Sequence, residues 1–472
     1  MGWVVRRISV GEYGVLLLAM SLCSVMFVLD LGLSNLLVQA YVAAAKDSRE
    51  RLSGLLSTAF VALAGLGTLS VLVFIVLALK LPGPFKIPPE YVGKASIVFI
   101  LMAVATQLGL PTMALEYACQ AFHRFDRINQ VQLVTVTVRV VLTVVLLADG
   151  YGLVALAAVQ IMVSLSRLLL LYAALRRSVP GAHLDVRRLD WNLLRPLLRR
   201  GAWASLDNSA RQLAGTSDSF ILGVFSPVSS VALFGLAAKL PTQLLNMVTK
   251  GAGVILPSLA RHHADRDRRQ LQSVYLNTQN LVFSGMLPVV VLGCVCARPL
   301  IQVWAGSAYL AAAAVMQWLL LAALSLAMEY ASDLLLYACG EVKTAARIAI
   351  FESVANVLVS LVLVFRYGAV GLAAGTAVTH ILINAFWYTP AACAAAGIRV
   401  SALVKAAMGG QTWLLLLLFG EVVVIRLLWF ALSPVWVLIA GVIGGVACMA
   451  VWWLRTAVPM WRLRAERADS SV

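Results

Sequence analysis

Six basic residues stand inside apolar segments that are long enough to cross a lipid bilayer. They are Arg139, Arg167, Arg211, Lys239, Lys250 and Arg426. A basic side chain near the bilayer centre costs about 2.5–3.5 kcal/mol, so six of them exposed to lipid would cost on the order of 15–20 kcal/mol. We therefore expect them to face an interior, to pair with carboxylates or, as for Arg426 near the end of its segment, to reach the membrane interface.

Lys239 and Lys250 have a spacing that places both side chains on one face of a helix. Eleven residues along an α-helix return a side chain to within about 20° of the same face, roughly 16 Å further along the axis. The two lysines are thus predicted to form two positive positions on one face, in a helix that Pro241 bends. The alternative is that the basic residues only hold helices together.

Carboxylates in the same segments suit the binding of a proton or a sodium ion. Glu329 and Asp333 are four residues apart on one predicted helix face, and like charges so placed in a low dielectric tend to share a proton or a cation. Glu116 precedes Asp333 at an offset of 217, so the two halves of the chain are predicted to present equivalent carboxylates. The competing interpretation is that these carboxylates lie near the cytoplasmic helix ends and pair with Arg124 or Lys343.

A second acidic set surrounds Arg211. Asp207, Arg211 and Asp218 share a predicted helix face at spacings of four and seven, and Asp207 is placed to pair with Arg211. Asp30 begins the sequence DLGL at a predicted helix end, where capping competes evenly with a functional role. Asp30, Asp207 and Asp218 are therefore further candidates for ion coupling or gating.

The elements that must position these residues are membrane helices. Of the 472 residues, 61% are apolar and 12% charged, and the mean hydropathy is +0.91, whereas a soluble domain is nearer half apolar and a quarter charged. Thirteen runs of about 17–29 residues, among them 14–38, 202–225 and 231–259, are long enough to cross a hydrocarbon core of roughly 30 Å. The alternation of a membrane β-barrel is absent. The sequence predicts an all-α, polytopic membrane helical bundle.

The basic residues that give the net charge of +16 are unevenly distributed between the two sides of the membrane. With the loop after Val38 placed in the cytoplasm, the cytoplasmic connections hold 24 of the 37 Lys and Arg residues, and the opposite side holds seven. This bias is the positive-inside pattern. The basic residues therefore predict membrane lipids as a partner and exclude nucleic acid.

The two halves of the chain repeat one another. The sequence YGLVALAA at Tyr151–Ala158 returns as YGAVGLAA at Tyr367–Ala374, an offset of 216, with six of eight positions identical, and the basic turn KDSRER returns as HHADRDRR at a spacing of 218. A near-constant offset favours duplication over chance similarity between alanine-rich segments. The predicted divisions are an N-terminal lobe at 1–175, a basic amphipathic cytoplasmic connector at 176–200, a C-terminal lobe at 201–400, and two additional helices with a basic tail at 401–472. Within the connector, Asp190 is predicted to cap a short helix; the alternative is a solvated loop.

Five short motifs occur in the order seen in one family. They are EYG at Glu12–Gly14, DLGL at Asp30–Leu33, QAFHRFDR at Gln120–Arg127, DSFILG at Asp218–Gly223 and KLP at Lys239–Pro241. Together they resemble the polysaccharide (O-antigen type, Wzx-like) flippases of the multidrug/oligosaccharidyl-lipid/polysaccharide exporter superfamily. The resemblance implies two lobes of six helices and two further helices at the C-terminus. By that pattern the first helix of the first lobe is missing, and a start site placed too far downstream is favoured over a real deletion.

The resemblance also implies a function. It predicts a flippase of the bacterial inner (cytoplasmic) membrane that moves a polyprenyl-diphosphate-linked oligosaccharide by alternating access, for surface polysaccharide assembly. Its anionic diphosphate gives Arg139, Arg211, Lys239 and Lys250 a role as substrate-binding residues. The expected partners are this substrate, membrane lipids, a proton or sodium ion, and other polysaccharide assembly proteins.

Two other functions stay open at this point. A cation-coupled drug or small-molecule antiporter of the same fold would need a cavity of net negative charge. A membrane glycopolymer polymerase or ligase would be expected to carry a large loop with catalytic groups, but the loops outside the connector are at most about 26 residues long. The sequence shows no Ser/His/Asp set, metal cluster or nucleotide-binding loop. We therefore predict a protein that is not an enzyme, with no catalytic residues, no metal site and no cofactor.

Overall fold

The computed structural model describes residues 2–28, 33–80, 85–179, 181–195, 218–408 and 412–457. Every regular element in these ranges is helical, which confirms the predicted all-helical fold. Eight of the helices are long and apolar enough to cross a membrane, or nine if the bent pair 228–237 and 239–264 forms one span. The chain is therefore a multi-pass membrane protein.

The described residues pack into two compact units that divide after Ala232. The helices of the first unit are α1 (Gly2–Val5), α2 (Val10–Val28), α3 (Leu33–Asp47), α4 (Arg49–Lys80), α5 (Pro89–Ala121), α6 (Phe125–Ala148) and α7 (Gly152–Ser178), followed by a helical segment at 218–225. Helix α8 (Val228–Ala237) crosses the division. Those of the second unit are α9 (Lys239–Gly253), α10 (Leu256–Ala264), α11 (Arg268–Val295), α12 (Ala297–Trp304), α13 (Ala312–Ala338), α14 (Val342–Ile383), α15 (Thr389–Ala396), α16 (Val400–Met408), α17 (Thr412–Ala431) and α18 (Pro434–Trp452).

Two of the predicted spans are divided in the structure. The span predicted at 14–38 corresponds to α2 and the start of α3, separated by residues outside the described ranges. The span predicted at 231–259 is divided into α8, α9 and α10, with a 40° bend between α8 and the helices after it. The predicted bend near Pro241 is thus confirmed. Most of the span predicted at 202–225 lies outside the described residues.

The core of the first unit is built on α4, α5 and α7. Ala59 of α4 and Ala114 and Ala118 of α5 are fully buried in one apolar cluster. Such small side chains let membrane helices approach closely, which strengthens van der Waals contact where the hydrophobic effect gives little preference between lipid and protein.

The connector packs against α4 through hydrogen bonds from side chain to backbone. These are Ser53 Oγ donating to His183 O at 2.8 Å, Asp185 N donating to Ser57 Oγ at 2.8 Å, and Asp190 N donating to Thr58 Oγ1 at 2.9 Å. Asp190 Oδ1 accepts from Asn192 N at 2.9 Å, which confirms its predicted capping role. Leu194 is fully buried, so this part of the connector belongs to the first unit.

Helix boundaries recur at a nearly constant offset in the two units. The ends of α5 and α13, at Ala121 and Ala338, and the starts of α6 and α14, at Phe125 and Val342, each differ by an offset of 217. Gly152 and Gly368, at an offset of 216, both have positive φ, at 65° and 56°. The segments α5–α7 and α13–α14 therefore follow one plan.

Candidate functional site

Helix α14 folds back on itself and brings two distant residues together. Gly368 has φ 56° and ψ −134°, which is outside the helical region. A Cβ on Gly371 would lie 2.2 Å from the carbonyl oxygen of Leu363, so only glycine allows the two arms this approach. Because the arms are antiparallel, residues further from the break also meet, and this places Glu352 beside His380.

A third residue, Glu329 of α13, completes a buried cluster with this pair. His380 Nδ1 lies 2.7 Å from Glu352 Oε1 and 3.4 Å from Glu329 Oε2. The side chains of His380, Glu329 and Glu352 are only 15%, 10% and 7% exposed. We call Glu329, Glu352 and His380 the acidic cluster.

The charge of the acidic cluster suits the binding of one cation. Two carboxylates and a neutral imidazole carry a net charge of −2, and protonating the imidazole leaves −1. Uncompensated charge is costly in a buried membrane site, so a further proton or a monovalent cation stabilises the cluster. One donor atom from each residue lies within 4.8 Å of the others, close enough for all three to contact one ion.

Hydrogen bonds fix the helices around the acidic cluster. Ser325 Oγ, one turn before Glu329, donates to the carbonyl oxygen of His380 at 3.0 Å. Asn384 Nδ2 donates to Ser325 O at 3.2 Å, and Thr389 Oγ1 donates to Asn384 Oδ1 at 3.1 Å. Asn384 begins a π-helical turn, a feature that often marks functional sites.

The predicted acidic residues are distributed between the two units. Glu329 belongs to the acidic cluster, and Asp333 is buried one turn further along α13. Glu116 Oε2 accepts from Arg167 Nη2 at 2.7 Å, so its partner is Arg167 and not Arg124. Asp218 is buried in the first unit. Asp30, Asp207 and Arg211 lie outside the described residues.

Of the predicted substrate-binding residues, the three that the structure describes are exposed. In the first unit, Arg139 is exposed on α6 and lies near enough to Arg167 to be repelled by it. In the second unit, Lys239 and Lys250 are both exposed on α9. Among the described residues, neither lysine lies within 4 Å of a carboxylate, so neither is neutralised by an ion pair there.

Helix α9 has one polar and one apolar face. Its polar residues fall within an arc of about 120° at 100° per residue. They are Lys239, Thr242, Gln243, Asn246, Thr249 and Lys250. The opposite side of α9 packs on α13, with Pro241 and Ala252 buried.

An apolar groove lies on the flank of α9. It has a volume of about 630 Å³ and is lined by residues of α9, α11, α12 and α18, among them Leu240, Leu292, Leu438 and Met449. A second apolar cavity of about 370 Å³ lies alongside and shares Met449 as a lining residue. Helix α9 thus carries hydrogen-bonding groups on one side and contributes to hydrocarbon-like surface on another.

Sequence analysis missed Glu352 and His380 because each stands alone in an apolar run, far from the other along the chain. A signal was present. The Tyr-Gly sequence at Tyr367 marks the fold-back point, and residues at similar distances on either side of a helical turn come together. Glu352 and His380 stand at similar distances before and after Gly368.

Comparisons with known proteins point to one class. The family model for "Polysaccharide biosynthesis protein" matches residues 4–314. No curated protein sequence matches the chain. Solved structures with the same fold at low identity include three that are named as transporters or flippases.

The first of these structures is an inward-facing multidrug resistance transporter of the MATE family of the MOP superfamily, with a TM-score of 0.72 and 15% identity over 85% of this chain and 93% of that one. Lipid II flippase MurJ, in an inward closed conformation, has a TM-score of 0.67 and 13% identity over 94% and 96%. The MATE transporter VcmN of Vibrio cholerae, in its bent form, has a TM-score of 0.51 and 15% identity over 82% and 87%.

Proposed function

Because the chain belongs to the polysaccharide biosynthesis protein family, we propose that it is a flippase that moves a polyprenyl-diphosphate-linked oligosaccharide across the bacterial inner membrane by alternating access. The observation that carries this proposal is the two-sided character of α9. A substrate with an anionic, sugar-bearing headgroup and a long hydrocarbon tail needs both kinds of surface.

The polar face of α9 suits the headgroup. A polar helix face in a membrane span is stable only where it borders water or polar groups, and Lys239 and Lys250 would supply two positive charges without competing carboxylates. Lysine binds phosphate as a mobile point charge. The amide and hydroxyl groups between the two lysines would donate to and accept from sugar hydroxyls.

The apolar groove suits the tail. Its lining offers hydrocarbon contact and no charged side chain, so an isoprenoid chain could lie there while the headgroup contacts the polar face. Arg139 and Arg211 are also proposed, from the sequence, to bind the diphosphate during the transport cycle; Arg211 lies outside the described residues.

The acidic cluster is proposed to couple transport to a proton or sodium gradient. Binding of the ion neutralises the cluster and favours the conformation in which Glu329, Glu352 and His380 are together. Loss of the ion leaves like charges that repel, and this favours separation of α13 from α14. A gradient of that ion would then bias the cycle in one direction.

The test uses reconstituted vesicles that contain a fluorescent polyprenyl-diphosphate oligosaccharide, with flipping measured as protection from a membrane-impermeant quencher. Lys239→Ala and Lys250→Ala are each expected to weaken headgroup binding roughly tenfold to a hundredfold, the range for loss of a charge-assisted bond. Lys→Arg at either position should retain part of the activity. The matched control is Lys343→Ala with Lys405→Ala, two exposed lysines on other helices.

Wild-type flipping by the stably folded Lys239→Ala/Lys250→Ala variant would defeat the role of α9. Failure of the wild-type protein to flip the lipid, together with ion-driven uptake of a cationic dye, would instead identify a drug antiporter. In cells, the same double variant should abolish surface polysaccharide while the protein still inserts into the membrane.

A further inference from the structure

A charged pocket lies in the first unit, far along the chain from α9 and the acidic cluster. Its volume is about 410 Å³, and it lies where α4 begins, α5 ends and α7 ends. The polar part of its lining comes from Arg49, His123, Arg124 and Ser178, and the apolar part includes Leu52 and Phe122. By the positive-inside pattern this end of the unit is cytoplasmic.

The positive charges of Arg49 and Arg124 are not balanced by an ion pair among the described residues. Each nearby carboxylate is engaged by a different arginine: Asp47 by Arg51 at 2.6 Å, Glu50 by Arg188 at 3.3 Å, and Asp126 by Arg127 at 3.5 Å. Among the described residues, no carboxylate oxygen lies within 4 Å of Arg49 or Arg124. The acidic residues of this region therefore leave the pocket positive.

The backbone after α7 contacts the guanidinium of Arg124 and the base of the Arg49 side chain. Arg124 Nη2 donates to the carbonyl oxygen of Ser178 at 3.4 Å, which ties it to the end of α7. Gly181 has φ 89°, and a Cβ there would lie 2.7 Å from Arg49 Cβ. The chain after α7 thus passes directly over the base of the Arg49 side chain, and only glycine allows that approach.

His123 occupies a strained position on the rim. The turn that ends α5 has Arg124 N bonded to Cys119 O and His123 N bonded to Gln120 O, with His123 at φ 54°. This is a helix ending with a left-handed residue, at which glycine is preferred. The matching turn of the second unit, which ends α13, has the same two bonds and places Gly340 there, at φ 80°.

A left-handed conformation costs a residue with a Cβ about 1–2 kcal/mol relative to glycine. Strain of this kind concentrates at functional sites. The imidazole at position 123 therefore occupies, at a conformational cost, a turn that opens on a positive pocket.

We propose that Arg49, His123 and Arg124 form a binding site for a phosphoryl group at the cytoplasmic membrane surface. Two guanidinium groups and an imidazole are the donors that phosphate oxygens accept from most strongly. The adjoining apolar side chains favour the phosphodiester of an anionic lipid headgroup, whose glycerol and upper acyl groups would contact Leu52 and Phe122. A free phosphate would use the same donors without that contact.

The experiment uses the full chain purified in detergent, with phosphatidylglycerol as the lipid probe, phosphatidylcholine as its reference and native mass spectrometry as the readout. Arg49→Gln/Arg124→Gln is expected to lower the affinity for phosphatidylglycerol about tenfold, because two charge-assisted contacts are lost. The matched control is Arg51→Gln/Arg127→Gln, which removes the same charge from the same two segments outside the pocket. That control should change the affinity by less than about twofold, since both arginines already have carboxylate partners.

Inorganic phosphate separates the two sources of the phosphoryl group. If millimolar phosphate leaves the lipid bound, the ligand is the headgroup; if it displaces the lipid from the wild type, a free phosphate is sufficient and the phosphoryl site stands. His123→Gly keeps the backbone that the turn requires, so it should fold normally and still weaken lipid binding several-fold. Equal losses in both double variants, or no loss in any variant, would overturn the proposal.

Discussion

The two units share a helical plan but differ in the charges they place on it. The second unit buries the acidic cluster, whereas the matching positions of the first unit carry neutral hydroxyl side chains. At the offset of 217 for Glu329 and Glu352, and of 216 for His380, these positions are Thr112, Thr135 and Ser164. Thr112 and Thr135 donate to carbonyl oxygens of their own helices at 2.7 and 2.9 Å, so these two positions form no cluster there.

The first unit instead carries basic residues in α6 and α7. Arg167 pairs with Glu116 at 2.7 Å, and among the described residues Arg139 forms no ion pair with a carboxylate. The residue matching Arg139 in the second unit is Asn356, which is neutral and buried. At these matching positions the two units therefore carry different charges on one helical plan, and the comparison teaches that the fold is separable from the charges.

The largest expected effect comes from neutralising the acidic cluster. Glu352→Gln removes one negative charge and the closest acceptor for His380, so the ion that should drive transport loses its site. We expect ion-driven flipping to fall by about 5- to 150-fold, the usual range of a coupling free energy. Initial rates in vesicles under an imposed gradient measure this. Glu341→Gln, an exposed carboxylate at the start of α14, should flip at the wild-type rate, and an unaffected Glu352→Gln protein would remove the acidic cluster from the mechanism.

The next largest effect is expected when the two arms of α14 are forced apart at Gly371, because their close approach brings Glu352 and His380 together. Gly371→Ala introduces the residue that the first unit has at its matching position, Ala155, but here the added Cβ meets a backbone oxygen. The arms must move apart, at a cost of about 1–3 kcal/mol, and Glu352 should separate from His380. Thermal unfolding in detergent measures the loss. Gly420→Ala, at a helix position with open space around it, should be neutral or stabilising by up to about 1 kcal/mol; equal losses at both sites would argue against close contact between the arms.

A smaller effect is expected at the ion pair of the first unit. A double-mutant cycle with Arg167→Gln and Glu116→Gln should give a coupling free energy of about 1 kcal/mol or less, because both side chains are partly exposed, at 36% and 23%. Unfolding midpoints of the four proteins give the value. A coupling several times larger would mean that this pair is as buried as the acidic cluster, and the contrast between the units would weaken.

The smallest effect is expected at His123. Replacing it by the glycine of the matching turn relieves about 1–2 kcal/mol of left-handed strain, while the freedom that glycine gains in the unfolded chain offsets about 0.4–1 kcal/mol. His123→Gly should therefore be more stable than the wild type by about 0.5 kcal/mol. Gly340→His makes the reverse exchange in the second unit and should destabilise it. A loss of stability in His123→Gly would show that the imidazole holds the turn together.

Much of the fold could be predicted because the length and apolar composition of a segment are enough to identify a membrane helix. Apolar length predicted the helices, Pro241 predicted the bend and Asp190 predicted a cap, since each depends on nearby residues only. The acidic cluster depends on a contact between residues on opposite arms of α14 and a third residue in α13. Glu329 was recognised as a candidate because it is a carboxylate inside an apolar segment. Its pairing with Glu352 and His380 could not be predicted, because it depends on how α14 folds back at Gly368.

The most direct test of the account is flipping by the reconstituted protein under opposed ion gradients. Wild-type protein should flip the lipid-linked oligosaccharide faster when an inward or outward gradient of protons or of sodium is imposed, with one ion effective and its dissipation abolishing the gain. The Glu329→Gln/Glu352→Gln protein should bind the lipid with wild-type affinity and show the same slow rate with and without the gradient. A gradient response that survives in this variant, or a wild-type rate that ignores both gradients, would contradict the assignment of ion coupling to the acidic cluster.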